Sequence, residues 1–201
     1  LFTRAKDLLE SGTQLRTVQW TEVELASLKP LCLMTNKRML YVANVADDDL
    51  DGEGPLPQEV AARAAATGAH WLPVCTDLES ELRRMEPEER APFMEDMGID
   101  LSGLERLIKA TYELLGLQTY YTAGEKEIRA WTIHKGDTAP RAAGVIHTDF
   151  ENKFIRVEVY SVSDLVEHKT EAAIKAAGRL RTEGRDYIMQ AGDVCHFLFG
   201  K

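Results

Sequence analysis

The stretch Arg38-Met-Leu-Tyr-Val-Ala-Asn-Val-Ala-Asp47 carries the clearest fold signal in this 201-residue chain. Met39 to Ala43 is a short apolar run with β-branched and aromatic members, which is typical of a strand buried on both faces of a parallel sheet. The run stops at Asn44, and Asp47 follows in an acidic loop. Open α/β sheets bind ligands just beyond the carboxyl ends of their strands. An amide and a carboxylate there can form hydrogen bonds with the edge of a nucleobase. Asn and Asp are also common in ordinary turns, so Asn-x-x-Asp alone does not distinguish the two interpretations.

The sequence after this strand predicts a βαβ unit. Residues 47–57 form an acidic loop with Gly and Pro, Pro57 suits the first turn of a helix, and Gly68 suits its end. Trp71 to Cys75 is a second short apolar strand, and Asp77 to Met85 is a second helix. Two strands do not make a stable sheet by themselves. We therefore expect further strands from sequence outside this chain.

Helix signals frame the βαβ unit on both sides. Thr21 and Glu24 have the spacing of a capping box for a helix that ends near Leu28. Ser102 and Glu105 repeat that spacing before an apolar stripe that closes at Gly116. The first ten residues are typical of the end of a helix, and the first residue is not Met. We expect the chain to be the later part of a longer protein.

Composition restricts the class of protein. The chain is 44% hydrophobic and 28% charged, as in an ordinary globular protein, and has no apolar run long enough to span a membrane. Its three cysteines are far apart, which favours reduced thiols in the cytoplasm over a disulfide framework or a zinc site. The net charge of −9 lies in residues 1–116, because residues 117–201 hold 12 basic and 12 acidic side chains.

Beyond Gly116 the pattern changes to short strands and turns. We predict strands at Gln118–Thr122 and Glu127–His134, joined by a turn at Ala123–Lys126, and a further strand at Phe154–Tyr160. A final strand pair is predicted at Tyr187–Gln190 and Val194–Phe199. Short helices are predicted at Ala139–Gly144, Asp164–Lys169 and Glu171–Ala177. A small mixed sheet with helices crossing one face is the expected α+β arrangement.

Long runs of this sequence resemble the YchF family of Obg-related P-loop NTPases. The runs are Leu114–Ile133 (LLGLQTYYTAGEKEIRAWTI) and Gly144–Glu151 (GVIHTDFE). Glu183–Phe197 (EGRDYIMQAGDVCHF) resembles the C-terminal TGS domain of that family. The resemblance implies an α/β fold, the C-terminal half of a P-loop NTPase parallel-sheet domain followed by an α+β, β-grasp-like TGS domain. The implied boundaries are 1–28 for the end of a helical insertion, 29–116 for the nucleotide-binding part and 117–201 for the TGS domain.

The resemblance also implies a base-recognition site. Asn44, Val45 and Asp47 match the family's base loop, and Cys75 and Thr76 match the short loop that backs the base. The family's loop usually has Glu where this chain has Asp47, and commonly has Ala where it has Thr76. A carboxylate can accept more hydrogen bonds from guanine, which has N1–H and N2–H₂ donors, than from adenine. The resemblance implies ATP as the nucleotide, and the aspartate at position 47 keeps GTP as an alternative.

No phosphate-binding loop of the form G-x-x-x-x-G-K-[ST] occurs in the sequence. By resemblance the phosphate loop, the switches and the Mg²⁺ ligand precede Leu1, so we expect this chain alone to be inactive and to hold no catalytic residue and no metal ligand. Asp48, Asp49 and Asp51 lack the remainder of a calcium loop, which favours a solvated loop. His147 and Asp149 have no accompanying nucleophile, so a structural role is expected for them.

The partner implied by the resemblance is the ribosome or another RNA. The best basic cluster is Lys175, Arg179, Arg181 and Arg185, close to Tyr187, although such faces are usually only solvated. No contact with DNA or a membrane is expected, and the oligomeric state is not indicated. The predicted function is that of a ribosome-associated, cytoplasmic ATPase, with GTP as a possible substrate. The alternative is a non-enzymatic module that binds RNA or protein partners in response to nucleotide.

Overall fold

A computed structural model describes residues 1–124 and 127–200 of the chain. Part of the turn predicted at Ala123–Lys126, namely Glu125 and Lys126, lies outside the described residues. The chain divides into two compact units, Leu1–Leu115 and Gly116–Lys201. Among the described residues, no helix combines the length and the apolar character that a membrane crossing requires.

The first unit contains a parallel strand pair and six α-helices among its described residues. The strands are β1 (Leu40–Asn44) and β2 (His70–Val74). The helices are α1 (Phe2–Glu10), α2 (Glu22–Leu28), α3 (Pro55–Thr67), α4 (Thr76–Arg84), α5 (Pro87–Asp96) and α6 (Gly103–Leu115). Three short 3₁₀ segments lie between α1 and β1, at Leu15–Thr17, Lys29–Leu31 and Met34–Asn36. The predicted strand–helix–strand–helix order is confirmed.

Local capping signals place the helix ends correctly. The predicted capping box of Thr21 and Glu24 is present at the start of α2. Ser102 Oγ accepts from the Glu105 N–H, and the Glu105 carboxylate accepts from the Ser102 N–H, which is the same arrangement before α6. Gly68 ends α3 in the left-handed conformation, with φ +61°. These signals are short-range, so a few neighbouring residues suffice to predict them.

Strand β1 is less buried than we expected. It pairs in parallel with β2 from Leu40↔His70 to Asn44↔Val74, and within the described residues it has no neighbour on its other edge. Val42 is 48% exposed, so the prediction of a strand buried on both faces is wrong for this two-stranded sheet. The register nevertheless brings the carboxyl ends of both strands side by side, at Asn44 and Val74.

Arginine side chains fasten α6 to the strand pair. Arg38 donates to the Leu114 carbonyl at the end of α6, and Arg106 Nη2 donates to the Pro73 carbonyl at 3.2 Å. Part of the predicted apolar stripe of α6 stays open to solvent, since Leu104 and Ile108 are 45% and 50% exposed. The helix therefore buries only one side of its apolar surface within the described residues.

The second unit is built on a five-stranded mixed sheet. Its strands are β3 (Leu117–Ala123), β4 (Ile128–His134), β5 (Phe154–Ser161), β6 (Arg181–Glu183) and β7 (Asp193–Phe199), in the order β4-β3-β7-β5-β6. Strand β3 runs parallel to β7, and the other pairs are antiparallel. Its helices are α7 (Ala139–Ile146), α8 (Thr148–Asn152), α9 (Val162–His168) and α10 (Glu171–Ala176).

Two expectations for this unit are corrected. Residues 187–190 do not form a strand beside β7; they make one isolated bridge, Thr138↔Ile188, and β7 pairs with β3 and β5 instead. The helices also do not lie on one face. Tyr120 and Val159 belong to a core that includes α7, whereas their neighbours Tyr121 and Tyr160 belong to a second cluster with α9 and α10. Because adjacent strand residues point to opposite faces, helices cover parts of both.

Candidate base-recognition site

Asn44 lies at the carboxyl end of β1 and reaches the beginning of α4. Its Oδ1 accepts from the Thr76 N–H at 3.2 Å and from the Thr76 Oγ1 hydroxyl at 3.0 Å. Cys75, the residue before α4, makes no side-chain capping hydrogen bond. The first N–H groups of a helix need an acceptor from outside the helix. Asn44 supplies one, and so joins the two loops that the sequence assigned to base recognition.

The orientation of the Asn44 amide follows from this contact. A backbone N–H can only donate, so the atom that faces Thr76 must be the amide oxygen rather than the nitrogen. Among the described residues, no acceptor is paired with Asn44 Nδ2. Asn44 and Thr76 are both exposed. A ligand that arrives from solvent therefore meets a free amide donor.

Val45 and Cys75 do not present their side chains at this site. They are 8% and 4% exposed and belong to the buried cluster of the first unit, together with Ala43, Leu78 and Leu82. The Val45 N–H is also engaged, because it donates to the Val74 carbonyl at 3.1 Å. The side chains of both residues are therefore buried, and base contact at Val45 and Cys75 stays a prediction. They form the floor beneath Asn44 and Thr76.

Asp47 is exposed. The side chain that accepts backbone hydrogen bonds in this loop is that of Asp49. Asp49 Oδ1 accepts from the Glu53 N–H at 2.8 Å and from the Gly54 N–H at 3.1 Å. Gly54 immediately precedes α3, so Asp49 organises the turn into that helix. Sequence reasoning missed this role and grouped Asp49 with the other acids. Among the described residues, no group of His, Cys, Asp or Glu is arranged to hold a metal ion.

Gly52 completes the loop by close packing. Its φ is +68°, and a Cβ atom at this position would lie 2.9 Å from Pro73 Cβ and 3.2 Å from Trp71 Cη2. Its carbonyl accepts from Gln58 Nε2 at 2.8 Å. The acidic loop is thus packed directly on β2. This packing fixes the chain that carries Asp47 relative to the strand that leads to Thr76.

A cavity of about 310 Å³ lies beside Cys75. Leu50, Asp51, Glu79 and Arg106 are among its lining residues, whereas Asn44, Asp47 and Thr76 are not. Within the described residues, buried Arg106 Nε has no hydrogen-bond partner. The three polar residues predicted to read the base thus lie on open surface beside the cavity, rather than inside it.

Comparison with known proteins gives relatives that match nearly the whole of this chain. The chain is 45% identical over 203 residues to the ribosome-binding ATPase YchF of Bacillus subtilis (strain 168), which covers 99% of this chain and 55% of that protein. Residues 117–200 match the family model YchF-GTPase_C, whose description is a protein of unknown function (DUF933). The chain belongs to the YchF family.

Other YchF proteins give the same result. The ribosome-binding ATPase YchF of Escherichia coli O157:H7 is 45% identical over 191 residues, covering 95% of this chain and 52% of that protein. The structure of the Schizosaccharomyces pombe YchF GTPase matches with a TM-score of 0.78 and 34% identity, over 95% of this chain and 51% of that one. The chain spans about half the length of these YchF relatives. Its α/β fold with mixed sheets agrees with the YchF fold.

The basic cluster predicted in the second unit is only partly free. Lys175 lies on α10, Arg179 follows it, and Arg185 lies after β6; all three are exposed. Arg181 differs, because its guanidinium lies 3.4 Å from Glu183 Oε1 and 3.6 Å from Asp193 Oδ1. All four cations of the cluster are therefore exposed, and Arg181 is also paired with acidic side chains of the same unit.

Asp193 is the centre of the network that engages Arg181. It is 3% exposed, and its Oδ2 accepts from the Tyr187 hydroxyl at 2.8 Å and from the Gln190 N–H at 2.9 Å. Arg181 Nη2 donates to the Tyr187 hydroxyl at 3.2 Å. Burial, and next the hydrogen bond to Asp193, raise the pKa of Tyr187 to about 12. The network connects β6 to the start of β7 and has a structural role.

Three other polar or aromatic side chains also make contacts within the second unit. His147 Nδ1 accepts from the Asp149 N–H at 3.1 Å and so caps α8. Tyr120 is fully buried, and its hydroxyl donates to the Ala142 carbonyl at 2.9 Å. Trp131 packs against the same core and donates to Thr122 Oγ1 at 2.9 Å. These contacts hold the three side chains within the second unit.

Proposed function

We propose that this chain supplies base recognition in a YchF protein that hydrolyses ATP. The observation that carries the proposal is the contact of Asn44 with Thr76, which joins the two predicted base loops at the carboxyl ends of adjacent parallel strands. Ligands of open α/β sheets bind at such ends. The names of its relatives, which call them ATPases or a GTPase, support the reaction class.

The phosphate chemistry is assigned to residues outside these 201. The sequence contains no Gly-rich loop with the Lys that cradles phosphates, and the relatives are about twice as long. In our proposal those other residues hold the phosphates and Mg²⁺, while Asn44 and Asp47 select the base. We retain residues 1–28 as the end of a helical insertion, 29–116 as nucleotide-binding and 117–201 as a TGS domain. Hydrolysis would occur in the cytoplasm.

Calorimetric titration of ATP and GTP into the full-length protein tests the choice of base. We expect ATP to bind more tightly than GTP, and Asp47→Glu, which restores the acid usual in the family, to increase that preference by about 3- to 10-fold, the range of one hydrogen bond. Asp77→Glu, an equal change on the first turn of α4, serves as the matched control. Tighter binding of GTP than of ATP by the wild type would assign the protein to the GTPases.

We also propose that the second unit contacts ribosomal RNA. Relatives are named ribosome-binding ATPases, and Lys175, Arg179 and Arg185 are exposed. Arginine and lysine bind phosphates with strong salt dependence. The non-enzymatic regulatory module remains the rival proposal: it would bind the ribosome in response to nucleotide but turn over little ATP.

Ribosome co-sedimentation over a salt series tests this surface. Replacing Lys175, Arg179 and Arg185 by Ala should flatten the dependence of log K on log salt by about 2–3, because each phosphate contact contributes roughly 0.7–0.9. Replacing Lys135, Lys153 and Arg156 removes the same charge elsewhere on the unit and should leave the slope unchanged. If both triple variants flatten the salt dependence equally, the effect depends on net charge alone, and the proposed RNA-binding surface is contradicted.

A further inference from the structure

We propose that a second cavity in the first unit binds a small organic anion with an apolar body. The cavity has a volume of about 610 Å³ and is lined by residues between Leu25 and Arg38. Small ligands bind in cavities of roughly 300–1,000 Å³. Asn44, Asp47 and Thr76 do not line it, so this site is separate from the base loops and independent of nucleotide binding.

The charged side chains of this cavity are all positive. Lys29, Lys37 and Arg38 line it, and no acidic residue does. Residues 25–46 form the longest run in the sequence without Asp or Glu, and these three are the charged residues of that run. Residues 1–116 as a whole are acidic, so the cavity is a local exception. Cations that line a concave site raise the local concentration of anions. The ligand is therefore expected to carry a negative charge.

The three cations are accessible to a ligand. All are exposed, and among the described residues none of them forms an ion pair. Arg38 donates to the Leu114 carbonyl at the end of α6. A guanidinium has five N–H donors, so this contact fixes Arg38 and leaves donors for an anion. Exposed charges contribute little affinity by themselves, which makes the apolar part of the site equally important.

The floor of the cavity is apolar and belongs to a buried cluster. Leu28 lines the cavity, is 1% exposed and packs with Ala5 and Leu15. Leu33 also lines the cavity and is partly buried against the same cluster. Leu25 lines the cavity from α2 and is 43% exposed. Apolar contact with these leucines stabilises a bound apolar group. The site therefore favours an anion with an apolar body over a simple inorganic anion.

The wall that carries the cations is braced by the rest of the unit. Arg16 Nη1 donates to the Met34 carbonyl at 3.3 Å and to the Lys37 carbonyl. These bonds connect the segment before β1 to the 3₁₀ segment at Leu15–Thr17. A site whose backbone is already fixed loses less conformational freedom when a ligand binds.

Cys32 provides a direct measure of occupancy. It lines the cavity and is exposed, whereas Cys75 and Cys195 are buried. The test measures the rate at which N-ethylmaleimide alkylates Cys32 in the full-length protein, by mass spectrometry of the peptide that contains it. Octyl phosphate, which joins an anion to an apolar chain, should slow this reaction in a saturable way. Inorganic phosphate and octanol each lack one of these two parts, and each should need a concentration at least about tenfold higher.

Lysine variants test the contribution of charge through the half-protecting concentration, in which changes of thiol reactivity cancel. Replacing Lys29 and Lys37 together by Ala should raise this concentration for octyl phosphate about 3- to 10-fold. Replacing Lys6 and Lys109 by Ala removes the same charge from exposed positions of the unit that do not line the cavity. This control should protect as the wild type does.

A matched pair on α2 tests the apolar contact. Leu25→Ser should raise the half-protecting concentration of octyl phosphate about 3- to 10-fold. Val23→Ser, at a position that is 76% exposed and does not line the cavity, should leave it unchanged.

Four results would overturn the proposal. Octanol or inorganic phosphate that protects as well as octyl phosphate would contradict an amphiphilic ligand. Equal shifts in the two double-lysine variants, or in the two α2 variants, would contradict the location. A Cys32 that does not react in the full-length protein would show that another part of the protein closes the cavity. The wild-type comparison of the three compounds decides the matter even if a variant does not fold.

Discussion

Replacing Gly52 by alanine is expected to lower the free energy of unfolding of the first unit by about 2–5 kcal/mol. Gly52 has a φ of +68°, which costs an L-residue roughly 1–2 kcal/mol. The added Cβ would also lie 2.9 Å from Pro73 Cβ, and overpacking of this kind costs about 1–3 kcal/mol. Pro73 is part of β2 and has a rigid ring, so it cannot turn aside.

Gly68→Ala is the matched control, because it separates backbone strain from close contact. Its φ is +61°, and a Cβ there would have no neighbour within 4 Å. It should cost only the conformational part, about 1–2 kcal/mol. The effect of alanine on the unfolded chain is the same at both positions and cancels. Denaturant unfolding, followed by tryptophan fluorescence, measures the difference. Equal costs for the two variants would show that the loop does not pack on β2 as described.

A functional consequence of Gly52→Ala follows from the same geometry. The loop holds Asp47 on one side and contacts Trp71 and Pro73 on the other. A shift of a few tenths of an ångström would move the carboxylate relative to Asn44, whose own position is fixed by Thr76. Nucleotide affinity should therefore fall in Gly52→Ala but not in Gly68→Ala, which lies at the opposite end of α3.

Local signals explain why much of the first unit could be predicted. The apolar run before Asn44 sets β1, and the capping boxes at Thr21 and Ser102 set α2 and α6. Each signal is complete within a few residues, so no tertiary information is needed. The proximity of Asn44 and Thr76 could be expected as well, because carboxyl ends of neighbouring parallel strands meet at one edge.

Features that depend on distant residues were missed. Strand β6 has three residues and no apolar alternation, and it exists because it pairs with β5. Residues 187–190 have a strand-like pattern, yet Met189 donates to the Asp137 carbonyl and Tyr187 accepts from the Ala139 N–H, so they brace the start of α7. The contact of Arg181 with Asp193 was also missed, because Asp193 lies on another strand. In each case tertiary partners outweigh local pattern.

The candidate site likewise contains residues that local sequence indicated and residues whose position depends on tertiary contacts. Residue types and their similarity to a family indicated Asn44, Asp47 and Thr76, and all three are accessible. Burial of Val45 and Cys75 could not be predicted from their spacing, because it depends on Leu78 and Leu82 in α4 packing beneath the loop. The role of Asp49 was hidden among neighbouring acids. The available signal was an acid five residues before a Gly-Pro helix start.

The variants of Asn44 are expected to have the largest effect on ligand binding. Asn44→Ala removes the free amide donor and also the acceptor that serves the first N–H of α4. Asn44→Asp keeps an oxygen for Thr76 but has no donor, so it isolates the contribution of Nδ2 to the ligand. We expect α4 to be destabilised by about 1 kcal/mol in Asn44→Ala, as for loss of a helix cap, and much less in Asn44→Asp.

The most direct test is the affinity of the full-length protein for ATP, measured by calorimetry for the wild type, Asn44→Ala and Asn44→Asp. Asn152→Ala, on exposed α8 in the second unit, is the control for an asparagine with no assigned role. Base recognition by Asn44 predicts that both Asn44 variants lose affinity by about tenfold or more, while Asn152→Ala binds as the wild type does. Wild-type affinity in both Asn44 variants would contradict base recognition at this site.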